Sequence, residues 1–164
     1  MRNFLKIFAL FFLFILIACG GKKEEQAATD KPEMTGTPSD AFVVEVTGND
    51  QMQFNVKTIE VPAGKKIRVN FKHVGQMPKE TMGHNFIILK QDVDIAAFAA
   101  RAMNAKETDY IPPADEQNII AHTKLLGGGE STSIEFDAPP AGTYKFMCSF
   151  PGHYVMMQGD FIVK

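Results

Sequence analysis

Along most of its length the chain alternates between short hydrophobic runs and polar turns. Phe42-Val43-Val44-Glu45-Val46 reads as a strand and is stopped by Thr47-Gly48-Asn49-Asp50. Met52-Gln53-Phe54-Asn55-Val56 and Ile67-Arg68-Val69-Asn70-Phe71 alternate, the second after a Pro62-Ala63-Gly64 turn. A period of two puts one face of a segment on a core and the other in water. Phe86-Ile87-Ile88-Leu89 is apolar throughout, as in a strand buried on both faces. Ser133-Ile134-Glu135-Phe136 and the runs at 142–147 and 159–163 complete the set. Short strands at this spacing, separated by Gly, Pro and Asn, predict an all-β antiparallel sandwich or barrel. One segment departs from the pattern. Ile95, Phe98, Ala99 and Met103 recur at helical spacing behind Asp92 as a cap, which predicts a single helical insertion near 92–105. Pro112-Pro113 then opens an irregular return to the sheets.

The first forty residues have a different character. Arg2 and Lys6 precede an uncharged apolar run over 7–18, too short for the ~20 residues of a membrane-spanning helix. A basic start with an apolar core of this size reads as a signal peptide over 1–18. Leu16-Ile17-Ala18-Cys19 resembles a bacterial lipobox, which makes Cys19 the candidate lipidation site. An ordinary signal whose cysteine follows the cut, or a pairing of Cys19 with Cys148, is the alternative. Gly20 in place of Asp resembles outer-membrane sorting signals of Gram-negative bacteria. Residues 19–40 carry Lys22, Lys23, Glu24, Glu25, Asp30, Lys31, Glu33, Pro32 and Pro38 and almost no large apolar side chain, so they read as a flexible linker. Residues 41–164 remain as one domain, large enough for a single core. With 45% hydrophobic and 22% charged residues, the composition excludes collagen-like and wholly disordered chains. A net charge of −2 offers no footprint for nucleic acid, and two cysteines exclude a disulfide-dense scaffold.

The candidate chemistry lies in Cys148-Ser149-Phe150-Pro151-Gly152-His153-Tyr154-Val155-Met156-Met157. A thiol, an imidazole and a thioether at 148, 153 and 157 share one loop between two strand patterns, and Pro151-Gly152 supplies the bend. Thiolate and thioether select copper among the common metals, and the loop holds no carboxylate. Two His and one Cys with a long axial Met is the general description of blue-copper centres, a template that this loop matches in part. The template needs a second histidine, and His73, His84 and His122 are the candidates. His84 stands in Gly83-His84-Asn85, directly before the buried run, where a rigid strand would hold a ligand in place.

Several segments together resemble the azurins, within the cupredoxin family. They are Gly48-Asn49-Asp50-Gln51-Met52-Gln53-Phe54-Asn55, Met82-Gly83-His84-Asn85, Ile120-Ala121-His122-Thr123-Lys124-Leu125 and Phe150-Pro151-Gly152-His153, and the likeness spans about 43–164. The resemblance implies a cupredoxin-like Greek-key β-sandwich of about eight strands, with one copper ion, cycling between Cu(I) and Cu(II), at one end. It implies His84, Cys148 and His153 as equatorial ligands, Met157 as weak axial ligand and the Gly83 carbonyl opposite. Asn85 matches a residue that donates to the sulfur and bridges loops, and Phe150 packs beside the ligands. His153 would be the exposed ligand, rimmed by a partner-docking patch of Met52, Met77, Met82, Pro151 and Met156. Met103 and Met147 are expected in the core, His73 near the site and His122 on the surface. The family's disulfide has no counterpart, and Phe86 stands where many azurins carry Trp.

With no coordination position left open, the implied role is electron transfer and not enzymatic catalysis. The protein would shuttle single electrons in a Gram-negative periplasm, lipid-anchored at the outer membrane. Partners implied by analogy are c-type cytochromes, nitrite reductase, cytochrome c peroxidase or a terminal oxidase. The alternative is a periplasmic copper-binding and delivery protein.

Overall fold

The computed structural model describes residues 40–164. The expected signal peptide, most of the linker and Cys19 lie outside the described residues. The strands are β1 (Phe42–Asn49), β2 (Gln53–Phe54), β3 (Thr58–Val61), β4 (Lys66–His73), β5 (Ile87–Leu89), β6 (Ile119–His122), β7 (Ser131–Asp137), β8 (Gly142–Met147) and β9 (Gln158–Val163). Two short helices interrupt them, α1 (Lys79–Met82) and α2 (Ile95–Ala102). One sheet runs β2-β1-β4-β7 and the other β3-β9-β8-β5-β6, forming the expected Greek-key sandwich.

The alternation read from sequence sets the core. In β4, Ile67, Val69 and Phe71 are buried while Lys66 and Lys72 face water. The exposed side of that strand is lined by cross-strand ion pairs, among them Lys66–Asp137 at 2.8 Å. Phe54, Phe71, Phe86 and Phe146 meet between the sheets with ring centroids 5.1–6.2 Å apart, mostly edge-to-face. Phe86 fills this centre with no polar atom to satisfy. β5 is fully buried, and Phe98, Ala99 and Ala102 of α2 belong to the same core.

Several local expectations are corrected. The pairing is mixed, because β1 runs parallel to β4 and β3 parallel to β9. β3 and β6 have no counterpart among the strands that the alternation predicts, and the alternating run at 52–56 yields only two strand residues. The helix cap is Asp94, whose carboxylate accepts the Ala97 N–H at 2.9 Å, and not Asp92, which sits at φ +66° in the preceding turn. Met103 follows the helix and is 54% exposed, so Ala102 takes the core position expected for it; Met147 is buried. No disulfide is present among the described residues. The start of β1 is held by its parallel pairing with β4 and by an exposed Lys65–Asp40 pair at 3.1 Å, which contributes little.

Candidate metal centre

Strand β8 ends at Met147 and delivers Cys148 into a loop that returns as β9. The Cys148 N–H donates to the Met157 carbonyl at 2.9 Å, closing the loop at its base. Inside it the His153 N–H donates to the Phe150 carbonyl, and the Met156 and Met157 N–H groups both donate to the His153 carbonyl. Gly152 makes the bend at φ +83°, a conformation that favours glycine. His84 lies between α1 and β5, the strand that pairs with β8 in the same sheet. Its backbone is fixed by a reciprocal pair with Leu126, at 2.9 and 2.8 Å.

These two segments bring together Nδ1 of His84, Nδ1 of His153 and Sγ of Cys148, all buried. The nitrogens lie 3.2 Å apart, and the sulfur is 4.0 Å from His84 and 3.8 Å from His153. The circle through these three atoms has a radius of about 2.1 Å, the length of ordinary metal–nitrogen and metal–sulfur bonds. The His84 Nε2–H donates to the Asn49 carbonyl at 2.9 Å, which leaves the Nδ1 lone pair facing the centre. The donor set and its spacing therefore fit a single ion of soft or borderline character. The Gly83 carbonyl lies 4.0 Å from the sulfur. Met157 is fully buried, and its methyl group and the His84 ring both press on Gly48, where a Cβ would stand 3.2 and 2.9 Å from them.

Burial sets the protonation of the cluster. Desolvation lowers both His84 and His153 from 6.5 to about 4, so both rings are neutral donors at pH 7. Desolvation also raises the Cys148 thiol from 9.0 to about 12, opposed by backbone N–H groups of Asn85 and Phe150 directed at the sulfur. A bound cation reverses that last preference, because the thiolate then has a charge partner.

The surroundings are equally specified. The Asn85 amide nitrogen donates to the Asp109 carbonyl at 2.9 Å and to Ser149 Oγ at 2.8 Å, while its oxygen accepts the Ser149 N–H at 2.9 Å. Ser149 Oγ continues to the Tyr110 carbonyl at 2.7 Å. Asn85 thus bridges the loops that carry Asp109 and Ser149. Phe150 packs on His153 at 4.6 Å and on Tyr110 at 5.1 Å.

Of the three candidate histidines, His84 alone joins the donor group. His73 stacks on the His84 ring at 4.3 Å and is held by the Met82 carbonyl and the Gly75 N–H. His122 is exposed on β6. His153 is only 3% exposed, less than an exposed ligand implies. Among the described residues its Nε2 makes no hydrogen bond, yet no buried side-chain nitrogen lacks a partner, so this atom is where the ring meets solvent. Met52, Met77, Met82 and Pro151 are half-buried and Met156 is exposed, as are Val74 and Val155. Asp50 ties two of these loops together by accepting the Gln76 and Met77 N–H groups.

Sequence reasoning singled out neither Gly48, the Asn49 carbonyl, Asp50 nor Ser149 as parts of the site. Gly48, Asn49 and Asp50 fall in the polar stretch that closes β1, which the sequence marks as a turn, and Ser149 lies inside the cysteine loop itself.

A family model described as copper binding proteins, plastocyanin/azurin family, matches residues 41–164. The azurin of Alcaligenes faecalis is 44% identical over 121 residues, 71% of this chain and 93% of that protein. Outer membrane protein H.8 of Neisseria gonorrhoeae is 44% identical over 117 residues, 70% of this chain. The match spans only 63% of the H.8 protein's length. Among solved structures, auracyanin from Roseiflexus castenholzii superposes with a TM-score of 0.67 at 38% identity, over 74% of this chain and 96% of that one. The azurin Az-iso2 of Methylomonas sp. strain J gives 0.68 at 34% identity, over 77% and 99%.

Proposed function

Because the chain belongs to the plastocyanin/azurin family of copper-binding proteins, we propose that it is a blue (type 1) copper protein that carries single electrons in the bacterial cell envelope. The observation that carries this reading is the closed triangle of His84, Cys148 and His153, whose spacing fits one ion and whose surroundings are filled by Met157 and Gly83. Copper supplies a one-electron redox couple when bound. Cys148 contributes the thiolate, and the N–H groups of Asn85 and Phe150 stabilise its charge. His84 is locked to Asn49, and Asn85 locks the cysteine loop, so the protein's own hydrogen bonds hold the donors in place. With its near positions occupied by the protein's own atoms, the centre has no place for substrate, which argues against an enzyme. Electrons would pass at the Nε2 edge of His153, with Met52, Met77, Met82, Pro151 and Met156 as a soft docking rim.

Burial of all three donors argues against copper delivery, which needs exchangeable ligands. The redox partners implied are soluble or membrane-bound electron carriers such as c-type cytochromes, nitrite reductase, cytochrome c peroxidase or a terminal oxidase. We place the domain in the periplasm on a linker anchored by lipidated Cys19, with likeness to proteins named for the outer membrane in support. Block of processing by globomycin tests that anchor. The copper reading is tested by the visible spectrum of the copper-loaded protein truncated before residue 40. An intense blue band that is absent from Cys148→Ser is expected. A colourless cupric protein overturns the proposal.

A further inference from the structure

The peptide that joins Met156 to Met157 is held from outside the copper loop. The Lys57 ammonium, in the turn between β2 and β3, donates to the Met156 carbonyl at 2.6 Å. This carbonyl lies just past the 3-10 turn His153–Val155, where the last carbonyls have no partner inside the turn. The base of Lys57 is fixed as well, because its own carbonyl accepts the Asp160 N–H at 2.9 Å. Gly159 leaves room for this approach, since a Cβ there would overlap the Lys57 carbonyl. Among the described residues Lys57 makes no ion pair, so its full charge rests on a neutral carbonyl. Such a charge-assisted bond is about twice as strong as a neutral one.

We propose that Lys57 is a positioning residue for the metal centre, holding the 156–157 peptide so that Met157 stays against the site, and that its unneutralised charge raises the midpoint potential. The proposal rests on the copper reading above. Rotation of the held peptide would swing the Met157 backbone, and with it both the thioether and the carbonyl that receives Cys148 N–H. A nearby positive charge disfavours Cu(II) more than Cu(I). At a separation on the order of 10 Å and a dielectric of roughly 40–80, a unit charge shifts that balance about two- to fourfold. At ~59 mV per tenfold for one electron, this is about 18–35 mV.

The test compares wild type with Lys57→Met, which removes donor and charge, and Lys57→Arg, which keeps both. Two readouts are taken: the midpoint potential of the copper-loaded protein, and amide hydrogen exchange at 153–157 in the metal-free protein. Lys57→Met is expected to lower the potential by the stated two- to fourfold equivalent and to speed exchange at Met156 and Met157, with Lys57→Arg restoring both. A Lys57→Met potential equal to that of wild type overturns the tuning, and unchanged exchange overturns the positioning. If the wild-type copper protein is colourless, the copper reading and the tuning fail together. The exchange comparison still decides whether Lys57 holds the turn.

Discussion

Replacing Asn85 with alanine would remove three hydrogen bonds from a site with no access to solvent. Asn85 is fully buried and Ser149 is 1% exposed, so bulk water cannot take over their partners. The Ser149 N–H would be left without an acceptor, at a cost of about 2 kcal/mol for a buried donor. The Asp109 carbonyl loses its amide partner and Ser149 Oγ loses a donor, adding roughly 1 kcal/mol or somewhat less each. Ser149 Oγ keeps its bond to the Tyr110 carbonyl, which limits the damage. The expected loss is about 3–4 kcal/mol, or roughly 10–15 °C in Tm for a domain of this size. Urea and thermal unfolding of the metal-free protein measure it directly. A double-mutant cycle with Ser149→Ala should give a coupling of about 1 kcal/mol or more, because the two residues share one network. A loss below about 1 kcal/mol for Asn85→Ala would refute the reasoning, since it would mean that a trapped water replaces the side chain and that Asn85 does not fasten the cysteine loop.

Other outcomes follow from the same geometry. Gly48→Ala should displace His84 or Met157, because its Cβ would stand 2.9 Å from the His84 ring; a shifted blue band and weaker copper retention are the readouts, and a wild-type spectrum would contradict the packing. Met157→Ala should leave the protein blue with a changed midpoint potential, measured by redox titration. The metal-free protein should lose stability as pH falls from about 6.5 to about 4. In this window the unfolded histidines take up protons that folded His84 and His153 refuse, so the native state is penalised on acidification. Urea midpoints at pH 7.5 and 4.5 check the sign, and a midpoint that rises at pH 4.5 would contradict it. Gly75→Ala should destabilise the loop bearing Met77, since the added carbon overlaps the Asp50 carboxylate, and its unfolding midpoint should fall below that of wild type.

How much of this was legible in the chain varies with the range of the interaction. Period-two alternation in β4 and β8 is local, so the buried faces of these strands could be read directly. The Cys148, His153 and Met157 spacing is local as well, and it marked the loop. What joins distant segments was not legible. The parallel pairing of β1 with β4 depends on how the chain returns, a matter of topology and not of periodicity. The choice of His84 over His73 from residue types alone rested on its place before a strand. In the structure the difference lies in the Asn49 carbonyl, which turns Nδ1 of His84 towards the sulfur, while Met82 and Gly75 occupy both nitrogens of His73. Asp92 and Asp94 compete as helix caps two positions apart, and the left-handed turn at Asp92 decided between them. The exposure of Met103 follows from the helix ending one residue earlier, a fraying that propensity does not resolve.

The parallel ladder between β3 and β9 has a consequence for the order of events. Thr58 sits opposite Asp160 and Val61 opposite Val163, partners about a hundred positions apart. A ribosome or translocon delivering the polypeptide from its amino end releases β3 long before β9 exists to complete that edge. Pairing over such a span carries a high contact order, and the sulfur and second imidazole sit just upstream of β9. The ion's cradle needs His84 together with Cys148 and His153, so a nascent fragment that stops short of Cys148 cannot hold copper in this geometry.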